Sequence, residues 1–292
     1  MSISSASRTS IGMGRENQDA CYVGERRFCV ADGHGPLGRV VAETVCSTMR
    51  NALPIDSYED IFVCVDEAVG AINNIRTILS GATASALTVE IDGACRVAHV
   101  GDSEVRYYDS DETGVSLTLD HSASNIDEFH RIHALPDAAS FIFAGGPRYL
   151  PPRPVFAELG DEWQPNPLGG FQHCNVRKEW STYISANGNR LAVTRAFGDF
   201  SMRKHGLIAT PSVVTAPPPV AGTTRAIVLA SDGLWDCMQY SEVGAIVRNP
   251  ECLGNAELAA DRLLAAANAH AAERFGGGRD DISIIIVYVT AP

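Results

Sequence analysis

The chain has 292 residues, 45% of them hydrophobic, and is therefore long enough to bury one large core or two small ones. Its formal net charge of -12 at pH 7 repels both a nucleic-acid backbone and an anionic membrane surface, so we expect neither as a main partner. The eight cysteines include no Cys-x-x-Cys pair, which excludes the common zinc motifs. No stretch has the apolar length of a signal-peptide core or a membrane span, and we expect a cytoplasmic monomer.

The first part of the chain alternates short strands with helices. Residues 20–23 and 28–31 are apolar runs of strand length. A helix is predicted over residues 40–53, and Pro54 ends it. A second, amphipathic helix is predicted from Ser57 to Leu79, because apolar residues recur there at three- and four-residue spacing.

Residues 81–85, Gly-Ala-Thr-Ala-Ser, are predicted to interrupt this helix. Short strands are then predicted at residues 86–91, 96–100, 105–108 and 115–119. Such close spacing leaves room only for turns, so these neighbours run antiparallel. The hydrophobic periodicity fails between residues 122 and 189, where prolines and glycines are dense, and we predict a long irregular flap there.

Regular structure returns in the last third of the chain. Residues 226–230 are predicted to form a buried strand, and residues 241–247 and 255–275 to form helices. The apolar run over residues 282–289 predicts a strand at the centre of its sheet. This order of helices and antiparallel strands predicts an α+β fold in which two sheets pack face to face with helices outside.

Aspartates lie at the ends of three of these apolar strands. Asp32 and Asp232 each follow a strand and precede a glycine, and Asp280 lies just before the last strand. Strands this apolar belong in the core, so their three carboxylates are expected to converge at one edge of the sheets. A lone Asp-Gly pair is more often only a turn, and for Gly101-Asp102-Ser103 a turn explains the sequence at least as well as a site.

Carboxylates that share a site must either take up a proton or bind a cation. Oxygen ligands without cysteine or histidine select Mg2+ or Mn2+. Two such ions about 3.5 to 4 Å apart can turn a bridging water into hydroxide and clamp the oxygens of a phosphoryl group. In such a site Asp32 would bridge the ions, and His34 beside it would protonate a leaving alkoxide.

A series of motifs then carries a specific resemblance. The motifs are ENQDA (16–20), ADGHG (31–35), GATAS (81–85), VAHVGDS (97–103), LTLDH (117–121), LAVTRAFGD (191–199), LASDGLWD (229–236) and RDDIS (279–283). In these motifs and their order the sequence resembles the metal-dependent type 2C protein serine/threonine phosphatases, the PPM family. The resemblance implies one catalytic domain over residues 1–292, built as a four-layer α/β/β/α sandwich of two antiparallel sheets flanked by helices. It also implies that residues 122–189 form a variable flap beside the active site.

The resemblance further implies a reaction and a role for each matched residue. The reaction is hydrolysis of phosphoserine or phosphothreonine in phosphoproteins by a metal-bridging hydroxide, without a covalent phosphoenzyme. It would use two Mg2+ or Mn2+ ions and a weaker third one. The implied roles are a bridge between the ions for Asp32, a ligand carbonyl for Gly33, the second ion for Asp232 and Asp280, the first-motif metal positions for Gln18 and Asp19, the third ion for Asp120 and Asp236, general acid for His34, and phosphate binding for Arg15.

Two departures from the family pattern touch the first motif. Gln18 stands where the family often carries a glutamate bonded to metal through water. Gln18 keeps an acceptor but loses a charge, so weaker metal binding is expected unless Glu16 or Asp281 supplies that charge. Arg15 stands four residues before Asp19, whereas the phosphate-binding arginine usually stands five residues before that aspartate.

Two further departures leave every direct metal ligand in place. The usual Gly-Asp-Ser-Arg ends in Glu104 here, and the usual closing Asp-Asn is Asp280-Asp281. A catalytically inactive relative that keeps the fold as a regulatory binding module is the alternative function, and only Gln18 and the shifted Arg15 favour it. A two-metal nuclease would fit the carboxylates, but the acidic charge of the chain opposes it.

Overall fold

The computed structural model describes residues 1–52, 57–72, 78–122, 125–144, 163–165, 171–173, 181–275 and 279–292. The strands are β1 (Ser2–Ser10), β2 (Ala20–Val23), β3 (Arg27–His34), β4 (Gly81–Val89), β5 (Cys95–Val100), β6 (Glu104–Tyr108), β7 (Val115–Ser116), β8 (Ser140–Ala144), β9 (Trp163–Pro165), β10 (Phe171–His173), β11 (Ser181–Ala186), β12 (Asn189–Leu191), β13 (Phe197–Gly198), β14 (Ser212–Ala216), β15 (Thr224–Ala230) and β16 (Ile282–Thr290). The helices are α1 (Gly38–Asn51), α2 (Tyr58–Gly70), α3 (Ile126–His133), α4 (Asp232–Cys237), α5 (Tyr240–Val247) and α6 (Ala256–Phe275), with a 3-10 helix at Phe200–His205.

Two antiparallel sheets form the body of the fold. One sheet has the strand order β1-β16-β15-β6-β7, and the other has the order β14-β5-β4-β3-β2, with β13 paired to β4. Smaller sheets join β12, β11 and β8, and β10 with β9. The strands expected at residues 20–23 and 28–31 are confirmed, and they pair with each other as β2 and β3. The predicted central position of β16 is confirmed too, since it lies between β1 and β15.

The side chains of each strand alternate between two cores. Phe28 and Val30 of β3 pack against Ile285 and Val287 of β16 in the core between the sheets. Their neighbours on the chain face outward, and Ala31 packs under α1 and α2. The outer face of the other sheet is covered by α4, α5 and α6. The predicted four-layer sandwich is therefore confirmed.

The sequence prediction was wrong around residues 70 to 85. Helix α2 ends at Gly70, well before the predicted end at Leu79, whose side chain is 48% exposed. Gly-Ala-Thr-Ala-Ser, predicted to be only a break, is the start of β4. Thr83 and Ser85 lie on the side that faces the other sheet, whereas Ala82 and Ala84 pack under the helices. Residues this small hide the alternation of a strand from a hydrophobic pattern.

Other elements were missed because their own residues carry a weak signal. Strand β1 is mostly serine and threonine, yet it pairs with β16 along its whole length, from Ser2 opposite Thr290 to Ser10 opposite Ile282. Helix α3 and strand β8 lie where an irregular flap was predicted, and the predicted strand at residues 115–119 is reduced to β7. Much of the flap, together with Pro54 at the predicted helix end, lies outside the described residues. No described helix is long and apolar enough to cross a bilayer.

A buried glutamate ties α3 to the segment that precedes β13. The Glu128 side chain is 2% exposed, and its carboxylate accepts hydrogen bonds from Arg131 Nη2 at 2.6 Å, Arg195 Nη2 at 2.6 Å and Thr194 Oγ1 at 2.8 Å. Burial alone would raise the pKa of Glu128, but the two guanidinium groups hold it down at about 2. The charged form of Glu128 is therefore part of the folded structure.

We predict that Glu128→Gln lowers the free energy of unfolding at pH 7 by about 3 kcal/mol, because two arginines lose a buried partner. The folded-state pKa is depressed, so this stabilisation is present above the unfolded pKa of about 4.3 and is lost as the pH falls towards 2. Urea unfolding between pH 7 and 3 checks both statements. Glu257→Gln, which removes an exposed partner of Arg8, is the control and should cost less than about 1 kcal/mol. Equal effects of the two variants would contradict the prediction.

Candidate metal centre

The alternation of β3 continues from the core into the site. Asp32 and His34 follow Phe28 and Val30 at two-residue spacing, so all four lie on the face of β3 that meets the other sheet. Gly33 between them faces α1. The apolar filling of the sandwich therefore ends, at this edge of the sheets, in a carboxylate and an imidazole.

The other predicted aspartates reach the same edge from neighbouring elements. Asp19 lies just before β2, Asp232 is the first residue of α4 after β15, and Asp280 lies just before β16. Burial raises the pKa of Asp32 well above its usual value, and the charges of Asp19, Asp232, Asp102 and Asp280 raise it further. These aspartates therefore lie near enough to Asp32 for their charges to act on its carboxyl group. Asp102, which the sequence explained equally well as a turn, belongs to this cluster.

Asp19 is held in place without being fully satisfied. Ser231 Oγ donates a hydrogen bond of 2.8 Å to Asp19 Oδ2, while the buried Asp19 Oδ1 accepts no hydrogen bond from any described residue. Burial raises the pKa of Asp19 to about 7; hydrogen bonds from Ser231 and Ser283 oppose this rise, and the charges of Asp281 and Asp232 add to it. A bound cation would offset both the missing hydrogen bond of Asp19 and the repulsion between its carboxylate and the neighbouring ones.

The donor set fits a hard divalent cation. Within the described residues, no three histidine, cysteine, aspartate or glutamate side chains are arranged so that they alone could hold a metal ion. Mg2+ and its analogues keep several waters and need only a few protein oxygens, so an open cluster of carboxylates suits them better than a closed cage does. The backbone of Gly33 completes the candidate set, and only glycine fits there. A Cβ on Gly33 would lie 2.2 Å from the carbonyl oxygen of Gly38 and 2.6 Å from that of Gln18.

The segment before β2 is fastened to the site by Asp281. Asp281 Oδ1 accepts the backbone N–H of Gly12 at 2.7 Å, and Asp281 Oδ2 accepts that of Gln18 at 2.7 Å. The side chain of Gln18 donates from Nε2 to the carbonyl of Gly35 at 2.8 Å. Asp281 thus places a negative charge against Gln18, which is one of the two sources that the sequence left open for the missing charge.

Asp236, one of the two third-ion candidates, lines a groove beside Asp280. The groove has a volume of about 430 Å³ and is lined by Met13, Gly14, Gly233, Asp236, Cys237, Arg279 and Asp280. Arg15 follows Gly14, is exposed, and its guanidinium makes no hydrogen bond or ion pair with the described residues. Asp120 is exposed and lies near Tyr240, whose pKa is raised by burial, by Glu104 and by Asp120. The Tyr240 ring lies 5.7 Å from that of Trp235, the neighbour of Asp236.

Glu104, which replaces the usual arginine after Gly-Asp-Ser, is explained by its contacts inside the protein. Glu104 is 6% exposed, and its Oε1 accepts a hydrogen bond of 2.9 Å from Arg106 Nε. Tyr240 Oη donates to Glu104 Oε2 at 3.1 Å, and the Arg106 guanidinium lies 3.6 Å from the centre of the Tyr240 ring. Glu104 therefore belongs to an internal ion pair.

His34 has a partner that sequence reasoning missed. His34 Nε2 lies 2.5 Å from Asp199 Oδ2, and the Asp199 side chain is 3% exposed. Burial lowers the pKa of His34, but the hydrogen bond and charge of Asp199, with a contribution from Asp102, raise it overall. The sequence did carry a signal for Asp199. Gly198-Asp199 closes the LAVTRAFGD motif, and two other aspartates of the site, Asp32 and Asp232, also stand next to a glycine after an apolar run.

An edge of a β-sandwich that gathers carboxylates, with a histidine beside them, suits the chemistry of a metal-dependent hydrolase. Comparison with known proteins makes this specific. The family model described as Protein phosphatase 2C matches residues 17–142 and 169–274. The chain therefore belongs to the protein phosphatase 2C family and is a metal-dependent protein serine/threonine phosphatase.

Individual relatives agree with this assignment. Probable protein phosphatase 2C 73 of Arabidopsis thaliana is 28% identical over 322 residues, which cover 94% of this chain and 75% of the relative. The serine-threonine phosphatase 2C from Toxoplasma gondii has a TM-score of 0.69 at 18% identity, covering 98% of this chain and 94% of the other. The catalytic domain of the serine threonine protein phosphatase PstP, solved in complex with two manganese ions, has a TM-score of 0.58 at 17% identity, covering 99% and 98%. At these identities the two solved structures establish the fold.

We predict that Asp32→Asn and Asp232→Asn abolish Mn2+ binding while stabilising the metal-free protein. Each removes a ligand charge that the cation needs and that repels its neighbours in the cation's absence. Isothermal titration calorimetry and thermal unfolding with and without Mn2+ measure the two effects. Asp261→Asn, at an exposed carboxylate that pairs with Arg8, should change neither. Unchanged Mn2+ affinity in both site variants would show that the metal does not bind at this edge of the sheets.

We predict that Gln18→Glu does not tighten Mn2+ binding. The new carboxylate would face the carbonyl of Gly35, lose the hydrogen bond to it, and lie beside the carboxylate of Asp281. Calorimetric titration of Mn2+ compares this variant with wild type, and Gln18→Ala controls for loss of the hydrogen bond alone. A gain of about 10-fold or more in affinity would show instead that Gln18 is a weakened ligand position.

Proposed function

We propose that this phosphatase hydrolyses phosphoserine and phosphothreonine by direct attack of a water molecule, without a covalent phosphoenzyme. The observation that carries the proposal is the convergence of the Asp19, Asp32, Asp232 and Asp280 carboxylates beside His34. This cluster is costly unless cations occupy it, so its presence supports an active enzyme over an inactive binding module. The acidic net charge opposes a nuclease.

The proposed ligands are those that the cluster brings together. Asp32, the Gly33 carbonyl, Asp232 and Asp280 would hold two ions, Mg2+ or Mn2+. Asp19 and Gln18, at the metal positions of the first motif, would contribute to holding these two ions. Asp120 and Asp236 would hold a weaker third ion. When bound, such ions lower the pKa of a water molecule and polarise the phosphoryl oxygens.

The remaining steps belong to side chains of this chain. Arg15, exposed and next along the chain to Gly14 of the groove, would bind the phosphate group of the substrate. His34 would give a proton to the serine or threonine oxygen as the P–O bond breaks. The groove beside Asp236 and Asp280 would admit the rest of the substrate.

Hydrolysis of a phosphothreonine peptide tests the proposal. Phosphate release is measured with Mn2+, with Mg2+, and after chelation, for wild type and for Asp32→Asn. We expect release by wild type only when a divalent cation is present, and none by the variant. A wild-type protein that binds Mn2+ without releasing phosphate would instead support the binding module.

We predict that His34→Ala slows hydrolysis of the phosphothreonine peptide about 100-fold or more, while hydrolysis of p-nitrophenyl phosphate changes much less. An alkoxide is a strong base and needs a proton as it leaves, whereas nitrophenolate does not. Steady-state kcat for both substrates at saturating Mn2+ measures the difference. Equal losses on the two substrates would mean that His34 has a structural role.

We also propose that the chain acts in the cytoplasm as a monomer with one catalytic domain, whose flap at residues 122–189 selects among phosphoprotein substrates. Size-exclusion chromatography with light scattering tests the monomer, since a stable dimer would give twice the mass of one chain. Exchange of the flap residues for those of a relative tests substrate selection, since an unchanged preference among phosphopeptides would oppose it.

A further inference from the structure

The pair of His34 and Asp199 has a geometry that the proposed reaction leaves unexplained. His34 Nε2 and Asp199 Oδ2 are 2.5 Å apart, which is within hydrogen-bond distance. The Asp199 side chain is 3% exposed, and that of His34 is 31% exposed. The carboxylate therefore approaches the imidazole from the interior of the protein, and the ring lies between it and the solvent.

The backbone places Asp199 at some conformational cost. Asp199 has a φ of 46°, in the left-handed region, directly after Gly198 with a φ of 78°. Its N–H donates to the carbonyl of Ser80 at 2.9 Å, and its carbonyl accepts from the N–H of Met202 at 2.8 Å. Left-handed backbone is uncommon in residues other than glycine and is tolerated best by asparagine and aspartate. Both backbone groups of Asp199 are thus fixed, which leaves the carboxylate little freedom.

Strand β4 leaves room for the pair at one position. Gly81 lies opposite His34 in the pairing of β3 with β4 and opposite Gly198 in the pairing with β13. A Cβ on Gly81 would lie 2.1 Å from Asp199 Oδ2 and 2.7 Å from His34 Nε2. Any side chain at Gly81 would therefore push the two groups apart.

We propose that Asp199 is the positioning residue of His34: it accepts a hydrogen bond from Nε2–H, so that Nδ1 is the ring nitrogen that donates a proton to the leaving oxygen. This inference rests on the proposed phosphatase reaction. When the P–O bond breaks, the electron pair stays on the serine or threonine oxygen and the proton of Nδ1 transfers to it. The imidazole becomes neutral, keeps its Nε2–H on Asp199, and regains a proton at Nδ1 from water. A base or acid held by a third group is a recurring arrangement in catalysis.

Asp199→Asn tests this role, because it keeps the shape of the side chain and removes its charge. We expect kcat for a phosphothreonine peptide to fall about tenfold or more, and kcat for p-nitrophenyl phosphate to stay within about threefold. In the double variant with His34→Ala, the loss should not exceed that of His34→Ala alone, since Asp199 acts through the ring that has been removed.

A control perturbs the same segment without touching the pair. Arg203 Nη2 donates to Asp66 Oδ1 at 2.5 Å, and Arg203 Nε donates to the carbonyl of Gly198 at 3.0 Å. Asp66→Asn weakens this support of the turn before Asp199 but leaves the contact between His34 and Asp199 in place. We therefore expect the ratio of kcat for the phosphothreonine peptide to kcat for p-nitrophenyl phosphate to stay unchanged. Losses that are equal on both substrates, or that add to those of His34→Ala, would make Asp199 structural and overturn the proposal.

Nuclear magnetic resonance of the imidazole nitrogens tests the pair independently of turnover. In protein labelled with 15N-histidine, the signal assigned by its absence in His34→Ala should show Nε2 protonated in wild type and shifted in Asp199→Asn. If Asp199→Asn does not fold, the wild-type spectrum decides, and an unprotonated Nε2 overturns the proposal. If wild type shows the protonated Nε2 but no metal-dependent hydrolysis, the proposed function fails while the hydrogen-bonded pair stands.

Discussion

Mutual repulsion among buried carboxylates is the constraint around which this edge of the fold is arranged. Asp19 and Asp32 both have raised pKa values because burial disfavours their charged forms and their neighbours are also acidic. Folding must therefore gain enough elsewhere to bring these groups together, and the apolar core between the sheets is where it does so. The rigid strands hold the carboxylates in place, and a divalent cation turns their repulsion into binding.

The surrounding residues adjust the charge of the cluster one group at a time. Asp281 adds a carboxylate beside Gln18, where the family often has a charge of its own, and holds two backbone N–H groups as well. Asp199 faces His34, so its charge is used by the imidazole. Glu104 is neutralised by Arg106. These acidic groups thus have distinct partners, and the remaining carboxylates of the cluster are the proposed ligands of the cations.

The sequence predicted those parts of the site that follow a strong local pattern. Asp32 and Asp232 end apolar strands and precede glycines, so their place at one sheet edge could be inferred from the chain. Asp199 was missed because its contact with His34 joins residues 165 positions apart, and the strand that precedes it, β13, has only two residues. Strand β1 was missed for a related reason, since its register comes entirely from β16 and its own serines and threonines show no apolar face.

The register of β3 against β4 places Asp32, the proposed metal ligand, and His34, the proposed proton donor, on the same face of the sheet. Asp32 is paired with Thr83 and His34 with Gly81, so the two reactive groups face two small residues of the neighbouring strand. Thr83 Oγ1 is hydrogen-bonded to Ser103 Oγ at 2.7 Å, which fixes the turn that carries Asp102. Because side chains alternate along a strand, a shift by one residue would turn both Asp32 and His34 towards α1. The geometry needed for catalysis is therefore fixed by the same pairing that fills the core.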